Sequence, residues 1–298
     1  MKEKLKLYLV TLPRWFAAPQ FIPAILIGAV LAGGLGLHAW LAATAGLFIM
    51  AGAHCLNSVL DYSWTKLDAG AEEERSAEKS YTHGQSVIAM GLCSPKEVVF
   101  NALAWYLLAM IPVGFLTVMV GWPVLLISFL AMLITFWYSI GKMNWTHELA
   151  FTVASGLIPV LFGMFAVSPD ADWGVGLLAG VCLGLVTGPQ IVMDEVTDAE
   201  ANIAKGAKSI GYKALELKID LPFYQMGWLL FLYIYQLFLI TIGIFAPLTA
   251  ITFIAFPLWM ASLVFSSRKA SFEKGVIGFL LTAGLYTSLL LVGEIIGG

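Results

Sequence analysis

The sequence predicts an all-α integral membrane protein: a bundle of nine transmembrane helices with capping loops gathered on one side. Composition, run length and charge distribution carry that prediction. Of 298 residues, 60% are hydrophobic and 12% charged, with mean hydropathy +0.87; soluble domains carry about 25% charged residues. The apolar runs reach about 20 residues, the length a helix needs to cross a bilayer. They are unbroken rather than alternating with a period of two, which excludes barrel strands. Helices satisfy their own backbone in lipid, so a helical bundle is the physical default.

Breaks at Gly, Pro or charge delimit the spans in order. The first, near 15–35, follows Pro13 and closes around Gly33-Gly34. The second, 39–62, ends at Asp61. The third, 97–118, begins after Lys96 and stops short of Gly121, which opens the fourth at 121–139. The fifth, 148–168, runs from Glu148 to Pro169. The sixth, 174–194, ends at Asp194. The seventh, eighth and ninth, 222–242, 247–266 and 276–296, start near Pro222, Pro247 and Val276. The basic start Met-Lys-Glu-Lys resembles a signal peptide, yet no small-residue cleavage site follows, so the first span reads as retained. Residues 1–298 form one domain on this reading.

All sixteen Lys and Arg fall in alternate connections. Lys2, Lys4, Lys6 and Arg14 precede or open span one; Lys66, Arg75, Lys79 and Lys96 follow span two; Lys142 follows span four. Lys205, Lys208, Lys213 and Lys218 follow span six, and Arg268, Lys269 and Lys274 follow span eight. By the positive-inside rule these loops and the N-terminus are cytoplasmic, in the cell membrane, and Gly298 lies outside. That arrangement requires an odd number of spans, and nine satisfies it. Cys55, Cys93 and Cys182 are isolated, with no metal spacing, and read as small packing residues. No basic stripe interleaved with aromatics suggests nucleic acid.

Two charged connections are long, roughly 63–96 and 195–221, and each could hold a short amphipathic helix across the mouth. Both follow a carboxylate cluster: Asn57, Asp61 and Asp68, then Asp194, Asp198 and Asn202. At 100° per residue Asp61 lies about 40° round from Asn57, and Asp198 about 40° round from Asp194, so each cluster points one way. On a straight helix Asp61 and Asp68 would be about 10 Å apart, too far to share one ion. Two oxygen-rich faces meeting over a cavity suit Mg²⁺, which binds a few carboxylates, waters and substrate phosphates. With Lys and Arg beside them, they read as a site for a Mg²⁺-bridged diphosphate. An ion channel or transporter would place its acids nearer the midplane and need a route across; the opposite connections offer Asp170 and Asp172 alone.

These residues resemble the UbiA superfamily of intramembrane prenyltransferases, over nearly the whole chain. Asn57-Ser-Val-Leu-Asp61 is similar to the family's NDxxDxxxD motif, and Asp194 through Asp198 to its DxxxD motif. Tyr138-Ser-Ile-Gly-Lys142 resembles its YxxxK element, while Ser86 through Pro95 and His147-Glu148 resemble the menaquinone-forming branch, whose acceptor is 1,4-dihydroxy-2-naphthoate. The chain departs from the pattern at Ser58, Thr65, Met193 and Asn202. The resemblance implies a UbiA-type fold and Mg²⁺-dependent transfer of a polyprenyl group from isoprenyl diphosphate to an aromatic quinone precursor. Transfer to a lipid or glycerol-phosphate acceptor, or cyclisation without acceptor, are the alternatives. It implies metal ligation by Asn57, Asp61, Asp68, Asp194, Asp198 and Asn202, and diphosphate contact by Lys142, Lys205, Lys66 and Arg75. Tyr138 would neighbour the allylic cation, and Asp61, Asp194, Asp198 and Lys142 would act in the step itself. His54 reads as a packing residue; His83 and His147 read as solvated.

Overall fold

The computed structural model describes residues 2–68, 86–197, 199–267 and 272–298. Among them nine helices are long and apolar enough to cross a membrane. They are α1 (Lys4–Leu31), α2 (Leu37–Ser63), α3 (Pro95–Val120), α4 (Trp122–Gly141) and α5 (His147–Val167). After these come α6 (Trp173–Thr197), α7 (Leu221–Thr241), α8 (Pro247–Ser266) and α9 (Phe272–Gly297). Among the described residues there is no strand.

Local chemistry sets several boundaries. Helix α3 opens on a capping box, in which Ser94 and Glu97 satisfy each other's backbone N–H groups. It stops at Gly121, whose φ of 117° only glycine adopts without strain, so α4 begins one residue later. Helix α1 starts well before the expected residue 15, because Lys2–Lys6 is already helical. It is broken within, as Pro13 has no N–H to donate and Arg14 takes a left-handed conformation, φ 51° and ψ 58°. That break turns Arg14 inward, and it is 9% exposed. Helix α5 carries a π-helical turn at Val153–Leu157, a distortion frequent at functional sites.

Helix α1 packs against α2, α5 and α9. Its seam with α5 is built from glycine: a Cβ on Gly28 would strike the Val160 carbonyl, and one on Gly163 the Ile25 carbonyl. Gly156 of α5 meets Gly180 and Gly184 of α6 in the same manner. In lipid, helices gain little from hydrophobicity between them, so close backbone approach through small residues supplies the packing. Two apolar cores are the largest. One, around Phe162, Phe165 and Ile127, joins α1 to α5; the other, around Trp259, Phe279 and Tyr286, joins α1 and α5–α9.

The connection after α6 holds short helices at Ala199–Ala204 and Ile210–Glu216, the caps expected there. Before α3 the four-residue helix Ser86–Ala89 is described. Val87, Ile88 and Cys93 pack there against Leu12, Cys55, Val59 and Val98. All three cysteines are buried and free, and burial pushes the Cys93 thiol above its usual range.

Candidate active site

The last turns of α2 and α4 converge at the loop-bearing end of the bundle. Asn57 and Asp61 share one face of α2, as their four-residue spacing requires, and the Asn57 Nδ2 donates to Asp61 Oδ2 at 3.1 Å. From α4, Ser139 Oγ donates to Asn57 Oδ1 at 2.7 Å. Lys142 Nζ donates to Asp61 Oδ2 at 2.8 Å, and the same ammonium lies 5.3 Å from the centroid of the Tyr138 ring. Asn57, Asp61, Ser139 and Lys142 are all buried. One partner alone would leave a desolvated charge; together they form a compensated set.

Beyond Ser63 the chain does not continue as a straight helix. It folds back, so that the Asp68 N–H donates to the Asp61 carbonyl at 3.2 Å and Thr65 Oγ1 to the same oxygen at 3.3 Å. The 10 Å separation of a straight helix therefore does not apply, and the two carboxylates stand at one mouth, 0% and 2% exposed. Lys66 sits on this turn with φ 58° and is exposed. The connection after α6 closes over it: Lys205 Nζ donates to the Leu67 carbonyl at 2.8 Å, and the Lys208 N–H to the Lys142 carbonyl at 2.6 Å. Asn202 Nδ2 donates to the Tyr212 hydroxyl at 2.8 Å, while its buried Oδ1 has no partner among the described residues.

Two hollows meet beneath this mouth. The larger, about 120 Å³ in volume, is bounded by α1, α2, α4 and α5 and lined mainly by apolar side chains such as Met50, Ile134, Ile158 and Phe162. The smaller, about 50 Å³, reaches toward α6 and α9. Arg14, Phe21, His54, Tyr138 and Phe151 line both and form the neck between them. Arg14 reaches Ser58 Oγ at 3.5 Å, and its buried Nε has no partner among the described residues. A guanidinium held in a strained backbone conformation and left partly unfilled is a marker of a site.

Among the expected residues, the structure thus gathers Asn57, Asp61, Asp68, Tyr138 and Lys142 at one mouth, with Lys205 and Asn202 on the segment that covers it. Lys66 is beside them but faces outward. Asp194 lies in the last turns of α6, but its side chain is outside the described set, and Asp198, Arg75 and His83 are outside the described residues altogether. Among the described residues no three His, Cys, Asp or Glu side chains form a metal-holding group. His147 is not solvated: it is fully buried, its Nδ1 pairs with the Tyr138 carbonyl at 2.9 Å, and its ring packs at a 46° tilt with its centroid 4.2 Å from that of Tyr138. The helix start that exposes it in the sequence is covered by the α6–α7 connection. Glu148 makes that cover, its Oε1 accepting from the Ile210 and Gly211 N–H groups at 2.6 and 3.2 Å.

Sequence reasoning counted Arg14 only among basic N-terminal residues, and noted Glu148 in the His147-Glu148 pair without assigning the bonds by which it holds the α6–α7 connection. The Pro13-Arg14 pair at the head of an apolar run was the available signal. In the structure Arg14 falls inside the span Lys4–Leu31, and a cation there has to be neutralised or used.

The architecture is that of an intramembrane helical bundle with an acid-and-base mouth over an apolar chamber. A profile of the UbiA prenyltransferase family matches residues 21–290, and the chain belongs to that family. No match was found among functionally curated proteins. Similar solved structures include an apo UbiA homologue from Aeropyrum pernix K1, 14% identical, with a TM-score of 0.72 over 94% of this chain and 97% of that one. A digeranylgeranylglyceryl phosphate synthase is 15% identical, with a TM-score of 0.62 over 99% and 98%. A UbiA homologue from Archaeoglobus fulgidus bound to GPP and Mg²⁺ is 16% identical, with a TM-score of 0.60 over 97% and 99%. At these identities the likeness is one of fold.

Proposed function

We propose that this chain transfers a polyprenyl group from its diphosphate to a small aromatic acceptor of the quinone-precursor type, releasing diphosphate, with Mg²⁺ as cofactor. The charged mouth faces the cytoplasm of a cell whose membrane the chain spans as one domain. The observation that carries the reading is the buried Asn57–Asp61–Ser139–Lys142 set with Arg14, stationed at the neck of an apolar chamber. Only a ligand with an anionic head and a hydrocarbon tail uses both. The related Archaeoglobus protein bound to GPP and Mg²⁺ supports the same pairing.

The donor set fits a hard divalent cation. Asp61, Asp68 and the Asn57 and Asn202 amides offer oxygens, and Asn202 Oδ1 is buried without a partner. Asp194 and Asp198 would complete the set from α6. Bound Mg²⁺ supplies charge neutralisation on the departing diphosphate. Lys142 and Arg14 hold the diphosphate oxygens, with Lys205, and more weakly Lys66 and Arg75, at the rim. The allylic C–O bond breaks with its electrons leaving on the diphosphate. The Tyr138 ring face stabilises the resulting carbocation as it does the neighbouring ammonium. The apolar chamber keeps water from it. The acceptor carbon then forms the new C–C bond and loses its proton. Resemblance of the Ser86–Pro95 stretch to the menaquinone-forming branch favours a naphthoate acceptor.

The test is product analysis by mass spectrometry. Full-length protein in lipid vesicles receives Mg²⁺, a panel of prenyl diphosphates and aromatic acids. A prenylated aromatic product formed with released diphosphate, and abolished by chelation of Mg²⁺, is the expected result. A cyclised hydrocarbon made without acceptor, a prenylated glycerol phosphate, or an Asp194→Asn variant retaining activity within a few-fold would each overturn part of the reading.

A further inference from the structure

The smaller hollow has a wall that a hydrocarbon chain does not need. Gln20 of α1 is 2% exposed. Its Nε2 donates to Gln190 Oε1 of α6 at 2.7 Å and to the Leu280 carbonyl of α9 at 3.2 Å. Both hydrogens of the Gln20 amide are thereby used. Among the described residues, Gln20 Oε1 and Gln190 Nε2 make no hydrogen bond, and both residues line the hollow. The pair therefore presents one fixed acceptor and one fixed donor to whatever occupies the space.

A helix clamp alone explains the Gln20 N–H bonds, since amide bridges join membrane helices routinely. It does not explain why the Gln20 oxygen and the Gln190 amide nitrogen stay uncommitted on the wall of the hollow, where neither is sealed from water. An occupant that displaces water from such a group without replacing its hydrogen bond costs about 1–3 kcal/mol in proteins. A bound molecule with its own hydroxyl and oxygen acceptor removes that cost. Aromatic rings from Phe16, Phe21, Tyr138 and Phe151 line the remaining walls, which suits a flat ligand. Arg14 is the one Lys or Arg among the described lining residues, and it already faces the diphosphate mouth. A second phosphate has no cation left there.

We propose that this hollow is the acceptor subsite, and that the Gln20–Gln190 amide pair selects a planar, hydroxylated aromatic carrying at most one negative charge. This rests on the prenyl-transfer reading above and adds to it where the acceptor lies and what reads it. The larger, apolar hollow is left for the prenyl chain, and the two substrates meet at the neck beside Tyr138.

The experiment uses full-length protein in vesicles with Mg²⁺, a prenyl diphosphate and 1,4-dihydroxy-2-naphthoate. Gln20→Leu and Gln190→Leu keep side-chain size but remove the amides. Each is expected to raise the acceptor KM about tenfold or more, the scale of one lost hydrogen bond to a desolvated partner. The prenyl diphosphate KM should stay within about twofold. For wild-type protein, hydroxylated naphthoates should inhibit competitively at lower concentration than naphthoate itself. That comparison needs no variant, so it decides the matter even where a substitution prevents assembly. An unchanged acceptor KM, both KM values rising together, or equal inhibition by the two naphthoates would sink the subsite. Should wild type transfer to no aromatic at all, the prenyl-transfer reading falls with it. Should it transfer while the amide tests fail, the amide assignment alone is lost.

Discussion

Two buried polar clusters occupy opposite halves of this bundle, and they follow different rules. In the half away from the charged loops, Gln236 Oε1 accepts from the Tyr286 hydroxyl at 2.6 Å and from Thr252 Oγ1 at 2.9 Å. Its Nε2 donates to the Thr249 carbonyl at 2.9 Å. That cluster is neutral, and among the described residues none of its buried side-chain atoms lacks a partner. It ties α7 and α9 to the 3₁₀ turn that opens α8, Pro247–Ala255. At the loop-bearing mouth the cluster is charged, and Arg14 Nε, His54 Nε2, Glu148 Oε2 and Asn202 Oδ1 are all buried without partners among the described residues. A network built for stability closes on itself; one built to receive a ligand leaves atoms open. The contrast separates glue from site within one protein.

The largest expected effect breaks the mouth. Asp61→Asn removes the charge that Lys142 meets at 2.8 Å and one oxygen of the proposed metal set. Loss of a single preorganised electrostatic group costs about 10²–10³ in rate, so kcat/KM should fall at least about a hundredfold. Product formation in vesicles measures it, and activity within a few-fold of wild type would refute the assignment. Arg14→Leu should come next, with the prenyl diphosphate KM raised roughly ten- to a hundredfold, the scale of a lost charge-assisted hydrogen bond. Thermal stability should hold, because among the described residues the Arg14 side chain is anchored by no more than a 3.5 Å contact to Ser58. A melting temperature that drops along with the affinity would make Arg14 structural.

The opposite cluster should behave in reverse. Gln236→Leu abandons three hydrogen bonds and leaves the fully buried Tyr286 hydroxyl, among the described residues, with a 4.0 Å contact to Cys182 Sγ alone. Bonds of this kind in membrane proteins contribute about 0.6 kcal/mol on average and at most about 1.7. The expected loss is therefore about 2–3 kcal/mol of stability, with activity per folded molecule near wild type. Thermal unfolding in detergent, run beside the transfer assay, separates the two. A variant as stable as wild type but inactive would erase the distinction between the halves.

Much of the fold and of the mouth was legible in the sequence, for identifiable reasons, whereas the Gln236 cluster was not. Run length and charge alternation give the nine helices, since lipid imposes one period and one length on every span. The four-residue spacing of Asn57 and Asp61 foretells their hydrogen bond, because a helix fixes that geometry regardless of its neighbours. The Tyr138–Lys142 pair works by the same rule. What stayed hidden depends on contacts between elements distant in sequence. Gln20 and Gln190 are 170 residues apart, and Glu148 finds its partners 62 and 63 positions later. The fold-back at Asp68 and the left-handed Arg14 are departures from regular helix that no periodicity encodes. His147 looked solvated because the segment that buries it lies in another loop.

Lys66 sharpens the comparison from the weak end. It stands between Asp61 and Asp68, and the family resemblance implies it as a diphosphate contact after Lys142 and Lys205. The structure separates them by exposure: Lys142 is 6% exposed, whereas Lys66 points to solvent. A charge in water is screened by a dielectric constant near 80 and by salt beyond about 8 Å. Its pull on a diphosphate at the mouth is therefore a fraction of what a desolvated ammonium exerts. Lys66→Gln should raise the prenyl diphosphate KM by no more than about twofold, and added salt should abolish the difference, while the Arg14→Leu defect should survive it. A tenfold, salt-resistant loss at Lys66 would mean that the loop turns this side chain inward when substrate arrives, and burial would no longer tell the working cations from the solvated ones.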